Sequence, residues 1–168
     1  MPECLPTLVL EGPDATDALG ARLAARLRPG DSVLLSGDLG AGKSHLARAV
    51  IRALCGAGTE VPSPTYTLVQ SYDGPFGPIL HADLYRLGDA SELDELGLSE
   101  ALGRDLCLIE WPERLAEHGP GHGPEHGPEH GSHHPALPPE GVIRIALAPA
   151  GAGRTARITA PAGRLEDL

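Results

Sequence analysis

Lysine is almost missing from this chain: of 13 basic residues only Lys43 is a lysine, and the rest are arginine. That lone lysine stands inside a glycine-rich segment. There a compact ammonium fits between phosphate oxygens in a way that the planar arginine fork does not. Positive charge is short altogether, with 23 acids and a net charge of −10, which opposes a sequence-independent grip on nucleic-acid backbones. Any contact with RNA is expected to be local or through a partner. No apolar run approaches the roughly 18 residues of a membrane span. The N-terminus also lacks the basic region and apolar stretch of a secretory signal. The expectation is a soluble, unexported, cytoplasmic protein with no membrane contact. Cysteine is scarce too: Cys4, Cys55 and Cys107 lie far apart, without the paired spacing of a zinc site or a disulfide framework. In apolar surroundings they are expected to act as small buried hydrophobes.

A length of 168 residues fits one domain, since a core of this size buries about two-thirds of the surface its unfolded chain exposes. Leu5 to Leu10 reads as a short strand. Pro13-Asp14 then opens a helix with Asp14 as N-cap, Asp17 in the first turn and an apolar stripe of Leu19, Leu23 and Leu27. Ser32 to Leu35 is an apolar run bounded by turn residues, as in a buried parallel strand. After Lys43 the period changes, and Leu46, Val50 and Leu54 line one face of a helix ending near Gly56. Further strands are expected at Tyr66 to Tyr72, Ile79 to Leu84 and Leu106 to Ile109, with a short helix capped by Ser91. Val142 to Leu147 and Arg157 to Thr159 flank Ala150-Gly151-Ala152-Gly153 as a hairpin. The expected fold is α/β: a P-loop NTPase-like sandwich with a mostly parallel central sheet, helices on both faces and a C-terminal β-hairpin. One segment breaks the pattern. From Glu117 to Glu140 the chain is Gly, Pro, His and Glu, with Gly-Pro recurring every four residues, and is expected to be a flexible insertion without helix or core.

The segment Gly37-Asp38-Leu39-Gly40-Ala41-Gly42-Lys43-Ser44 matches G-x-x-x-x-G-K-[ST], and it has the required context of a buried strand before it and an amphipathic helix after it. Its glycines let backbone N–H groups turn toward phosphates, and the helix N-terminus adds its dipole. Lys43 is expected to neutralise the β- and γ-phosphates of ATP, and Ser44 to offer its hydroxyl to Mg²⁺. The metal needs a second anchor at the end of a neighbouring strand, and Leu106-Cys107-Leu108-Ile109-Glu110 supplies Glu110, the alternative being a surface acid at a strand end. Asp83 ends another apolar run and is a candidate for polarising the attacking water or holding a metal-bound water. Trp111, the sole tryptophan, is either a core aromatic or a neighbour of the nucleotide. His81, within a strand, reads as a hydrogen-bonded structural residue rather than a ligand. Ser63-Pro64-Thr65 follows the loop-bearing helix where nucleotide switches place a γ-phosphate-sensing hydroxyl. Taken alone, that tripeptide is a weak signal.

Together G-D-L-G-A-G-K-S at Gly37 to Ser44, S-P-T-Y-T-L-V at Ser63 to Val69, H-A-D-L-Y-R-L at His81 to Leu87 and E-W-P-E at Glu110 to Glu113 resemble the TsaE (YjeE) family in order and spacing. The resemblance implies a bacterial ATPase required for N6-threonylcarbamoyladenosine formation in tRNA, working with the TsaB and TsaD proteins and meeting tRNA indirectly. It also implies that Lys43 and Ser44 bind phosphates and Mg²⁺, that Glu110 completes the metal site and that Thr65 belongs to a switch. Asp83 becomes a functional acid, Trp111 a nucleotide-proximal aromatic, and the Pro13-Asp14 turn a neighbour of the base. Ser44 and His45 stand where the family usually has two threonines, which leaves one phosphate contact open.

Two other functions compete. A small-molecule kinase shares the loop, the metal site and the size, but calls for an arginine-bearing lid, of which Arg86 would be a lone remnant. A metal-handling role would use His118, His122, His126, His130, His133 and His134, whose imidazoles suit a divalent transition metal.

Overall fold

The computed structural model describes residues 1–89, 91–117 and 137–168. Eight strands form one sheet: β1 (Pro2–Cys4), β2 (Leu8–Leu10), β3 (Ser32–Ser36), β4 (Val69–Gly74), β5 (Gly77–Asp83), β6 (Leu106–Glu110), β7 (Val142–Ala150) and β8 (Gly153–Pro161). They lie in the order β1-β8-β7-β3-β6-β5-β4, with β2 also paired to β8. β7, β3, β6 and β5 are parallel neighbours. The flanking pairings, β4 on β5, β8 on β7, and β1 and β2 on β8, are antiparallel. The sheet is therefore mixed, and the expectation of a mostly parallel sheet holds only at its centre. The cause is connection length: β4 turns straight into β5, and β7 into β8, and so short a link allows only an antiparallel neighbour.

Side chains alternate across the central strands. Val33, Leu35, Leu106 and Leu108 pack with Leu19 and Leu23 of α1 (Pro13–Ala24) and with Leu46 and Val50 of α2 (Lys43–Cys55). Leu34, Cys107 and Ile109 face the other way, against Leu93 of α3 (Ser91–Glu95) and Leu98 of α4 (Leu98–Ala101). Helices thus cover both faces, which explains why these strands read as unbroken apolar runs rather than alternating ones. After β6 the chain makes α5 (Glu113–Glu117). Among the described residues no helix is long and apolar enough to cross a membrane.

Several local expectations need correction. Gly12, not Asp14, is the N-cap of α1, because Pro13 takes the first helical position with its φ already set and moves Asp14 into the first turn. The Leu5–Leu10 run is strand only over Leu8–Leu10, and β1 precedes it. Residues 64–67 form a turn, so β4 starts at Val69. Ser91 is already helical, and its N–H is capped by the Asp89 carboxylate at 2.9 Å. Of the cysteines Cys107 is buried and Cys55 partly so, whereas Cys4 is exposed because β1 sits at the sheet edge. The segment expected to lack helix is trimmed at both ends, by Glu117 closing α5 and by a 3₁₀ turn at Pro139–Gly141. Its middle, with all six histidines of the tract and the transition-metal expectation attached to them, lies outside the described residues.

Candidate nucleotide and metal site

The glycine-rich loop joins the C-terminal end of β3 to the N-terminus of α2. Gly42 caps α2 at φ 103°, and a Cβ there would run into the Arg154 guanidinium. Gly37 has φ 140°, and a Cβ there would collide with the Leu147 carbonyl. Both positions therefore need glycine for conformation, and Gly37 for space as well, because backbone blocks it whereas the Arg154 side chain at Gly42 can swing away. Lys43, the first residue of α2, is 4% exposed. Its Nζ donates to the carbonyls of Gly37 at 2.6 Å and Asp38 at 2.9 Å, and lies 4.1 Å from the centre of the Trp111 ring. Burial pushes its ammonium below the ordinary lysine value, against the opposing pull of the Glu110, Glu113, Asp83 and Asp38 carboxylates. Trp111 takes its place over Lys43 through a left-handed backbone, φ 58°, a costly state for a bulky residue and one that clusters at functional sites.

Parallel pairing brings three strand ends together, with Leu35 opposite Glu110 and Asp83 opposite Glu110 in register. That is where open α/β sheets hold ligands. The Ser44 hydroxyl donates to Glu110 Oε1 at 2.6 Å, and His81 Nε2 lies 2.7 Å from Glu110 Oε2. The expected hydrogen-bonded histidine is thus found, with its partner now identified. Asp83 accepts from the Tyr85 N–H at 3.0 Å and, more loosely, from the Thr65 hydroxyl at 3.3 Å. Thr65 also shares a 2.8 Å hydrogen bond with Ser63. Tyr85 stacks on Trp111 with ring centres 4.9 Å apart.

These groups open onto a cleft of about 330 Å³. Leu39, Gly40, Gly42, Lys43, Ser44, Thr65, Asp83, Glu110 and Trp111 all line it. Asp38 and Ala41 do not: Ala41 is buried beneath the loop, and Asp38 takes part through its carbonyl to Lys43. A larger cavity, about 520 Å³, lies elsewhere between Pro2, Pro139, Arg144 and Pro161; its lining is mainly apolar and brings no comparable set of charged groups together. Size is therefore the poorer guide here, and convergent polar groups the better one.

Sequence reasoning missed Arg154. It is the second residue of β8, lines the cleft, and its buried Nη1 has no hydrogen-bond partner among the described residues. Nothing local marks it among the arginines. Only the pairing of β8 with β7, and of β7 with β3, carries it to the loop. His45 also lines the cleft and meets Asp17 of α1 at 2.8 Å. Arg86, weighed as a lid remnant, lies instead over the exposed ring of Tyr66, at 4.9 Å.

The donor set suits Mg²⁺. Ser44 and Glu110 offer hard oxygens side by side, and no group of three or more His, Cys, Asp or Glu among the described residues forms a protein-only cage. Magnesium characteristically takes one or two carboxylates and completes its shell with water and substrate phosphate.

The family model described as "Threonylcarbamoyl adenosine biosynthesis protein TsaE" matches residues 10–127. The chain belongs to the TsaE family. Curated TsaE proteins similar to it include that of Rickettsia bellii, 46% identical over 105 residues, covering 62% of this chain and 73% of the relative. That of Bacillus subtilis is 39% identical over 109 residues, covering 64% and 67%. For the Rickettsia felis and Rickettsia conorii proteins the aligned part spans 62% and 59% of the relative. The crystal structure of Bacillus subtilis YdiB superposes with a TM-score of 0.68 at 29% identity, covering 99% of this chain and 91% of that one. The TsaE match contains Lys43, Ser44, Thr65, Asp83, Glu110 and Trp111, and it ends before β7 and β8, which deliver Arg154.

Proposed function

We propose that this chain is a cytoplasmic, Mg²⁺-dependent P-loop ATPase that supports N6-threonylcarbamoyladenosine modification of tRNA through the TsaB and TsaD proteins. The observation that carries the reading is the Ser44–Glu110 hydrogen bond at the foot of a loop whose lysine is buried and bonded to the loop's own carbonyls. A hydroxyl and a carboxylate fixed side by side next to a desolvated ammonium suit a metal-bound phosphate.

On this reading the N–H groups of Gly40 to Ser44 surround the phosphates, and Lys43 exchanges its two carbonyl partners for phosphate oxygens. Arg154, whose Nη1 has no partner among the described residues, adds a second cation at Gly42. Ser44 and Glu110 would hold Mg²⁺, which when bound would neutralise charge on the terminal phosphates. Asp83 orients a water toward the γ-phosphorus. The water oxygen bonds to phosphorus, the bond to the β,γ-bridging oxygen breaks, and ADP, inorganic phosphate and a proton leave. Little covalent chemistry is asked of the protein, so positioning dominates.

The test is release of ADP from Mg-ATP without an acceptor, measured for the chain alone and with TsaB and TsaD. Slow turnover that the partners accelerate is expected. Lys43→Ala should lose tight nucleotide binding, whereas Glu110→Gln should keep nucleotide and lose Mg²⁺-dependent turnover. Equal rates with and without the partners, and no effect on modification yield, would overturn the proposal.

A further inference from the structure

His81 is among the most deeply buried polar residues of the sheet, and the hydrolytic scheme leaves it without a task. It is 1% exposed, and its partner Glu110 is 2% exposed. The register sets up their contact: His81 pairs with Leu108 across β5 and β6, so Glu110 is its diagonal neighbour on the same face, a separation that long side chains bridge. The two oxygens of Glu110 are thereby divided. Oε1 accepts from Ser44 at the cleft, and Oε2 faces His81 Nε2 at 2.7 Å.

The proton's position follows from the surroundings. A carboxylate oxygen only accepts, so the hydrogen in this contact belongs to Nε2. The other ring nitrogen, Nδ1, is buried with no partner among the described residues.

We infer that His81 is a positioning residue that ties down Oε2 of Glu110, so that this carboxylate presents a single oxygen to the cation and the site favours Mg²⁺ over Ca²⁺. The terminal torsion of a glutamate is broad and roughly two-fold, so nothing in the side chain itself fixes which oxygen faces the cleft. His81 supplies that constraint from below. Mg²⁺ takes single oxygens in a near-ideal octahedron, whereas Ca²⁺ accepts a bidentate carboxylate and a larger, looser shell. Holding Oε2 inside the sheet denies the site its bidentate mode. Partners behind a metal ligand commonly matter by 10- to 100-fold in affinity.

The inference rests on Glu110 being the metal anchor, and the experiment separates the two claims. Protein saturated with ADP is titrated with MgCl₂ and with CaCl₂, following Trp111 fluorescence, for the wild type and for His81→Leu, His81→Asn, His81→Gln and Glu110→Gln. Thermal unfolding first establishes which variants are folded. His81→Leu, or His81→Asn with its donor withdrawn from reach should the leucine variant not fold, is expected to raise the Mg²⁺ half-saturation about 10-fold or more. Ca²⁺ should bind as well as before or better, so that the preference between the cations collapses. His81→Gln, whose amide N–H reaches Oε2, should restore the preference. A general loss of packing would weaken both cations alike, and that result overturns the inference. So does an unchanged cation ratio in a folded His81→Leu or His81→Asn protein in which Glu110→Gln still weakens Mg²⁺. If Glu110→Gln leaves both titrations unchanged, the anchor assignment itself fails and the inference falls with it.

Discussion

Cys107 lies on β6 with no exposed surface, and desolvation pushes its thiol up to about 12, with the Asp105 carboxylate adding to the shift and Arg104 opposing it. In the unfolded chain the same thiol ionises near its ordinary value of 9.0. Between those values the folded state holds the proton and the unfolded state releases it. Stability is therefore intact below pH 9 and is lost as pH rises toward 12, by about 1 kcal/mol per pH unit from this one group. Urea unfolding at pH 8, 9.5 and 10.5 should show the wild type losing ground to Cys107→Ala as pH rises, and parallel curves would refute it. Exposed Cys4 should react with a thiol reagent at pH 8 while Cys107 stays protected until the chain unfolds. The burial of Cys107 was legible in the run Leu106-Cys107-Leu108. The exposure of Cys4 was not, because an edge position is a property of the sheet.

At the level of elements, the pairing of α1 with α2 sets where the loop-bearing helix begins. Gly20 permits their close approach: a Cβ there would clash with the Ala49 side chain and stand 3.0 Å from the Ala49 carbonyl carbon and 3.1 Å from the Val50 nitrogen. The obstructing atoms are largely backbone, so they yield only by moving α2. Since α2 starts at Lys43 and Ser44, such a shift is felt at the cleft as well as in the core. Gly20→Val should cost about 1–3 kcal/mol in urea unfolding and also weaken nucleotide binding. Gly58→Ala, with open space around it, is the control and should change neither. A folded Gly20→Val protein of wild-type stability would show that the helix contact is slack. In the sequence Gly20 interrupts a helical pattern without explanation; what it packs against becomes evident only when the second helix is in place.

At the scale of the whole molecule, the Ser63–Thr65 segment, which leads into the 64–67 turn, connects the cleft to its surroundings. Thr65 reaches Asp83 and Ser63 on its inner side, and its neighbour Tyr66 stands 83% exposed with Arg86 against its ring. On the proposed function, a segment that lines the cleft on one side and meets solvent on the other can report nucleotide state to a partner, provided that its contacts differ between ATP and ADP. Thr65→Ala should therefore lower the stimulation of ATP turnover by TsaB and TsaD by roughly 5-fold or more while changing ATP affinity far less, as a coupling energy rather than a binding energy would. A loss of ATP affinity equal to the loss of stimulation would make Thr65 a simple ligand contact instead.

The sequence by itself determined the glycine-rich loop with its single lysine, the buried strands ending in Asp83 and Glu110, and the helix that follows Gly42. Each is written in local chemistry: a spacing of glycines, a run of apolar residues, a period of 3.6. Tertiary structure decided the rest. Ser44 and Glu110 are 66 residues apart, and His81 and Glu110 are 29 apart, so their meeting depends on which strands pair and in what register. The arrival of Arg154 at Gly42, the antiparallel edges and the exposure of Cys4 depend on the same pairings. Backbone preferences act over a few neighbouring residues. The order of strands in a sheet is chosen by the burial of two whole faces at once, and no short stretch of sequence carries that choice.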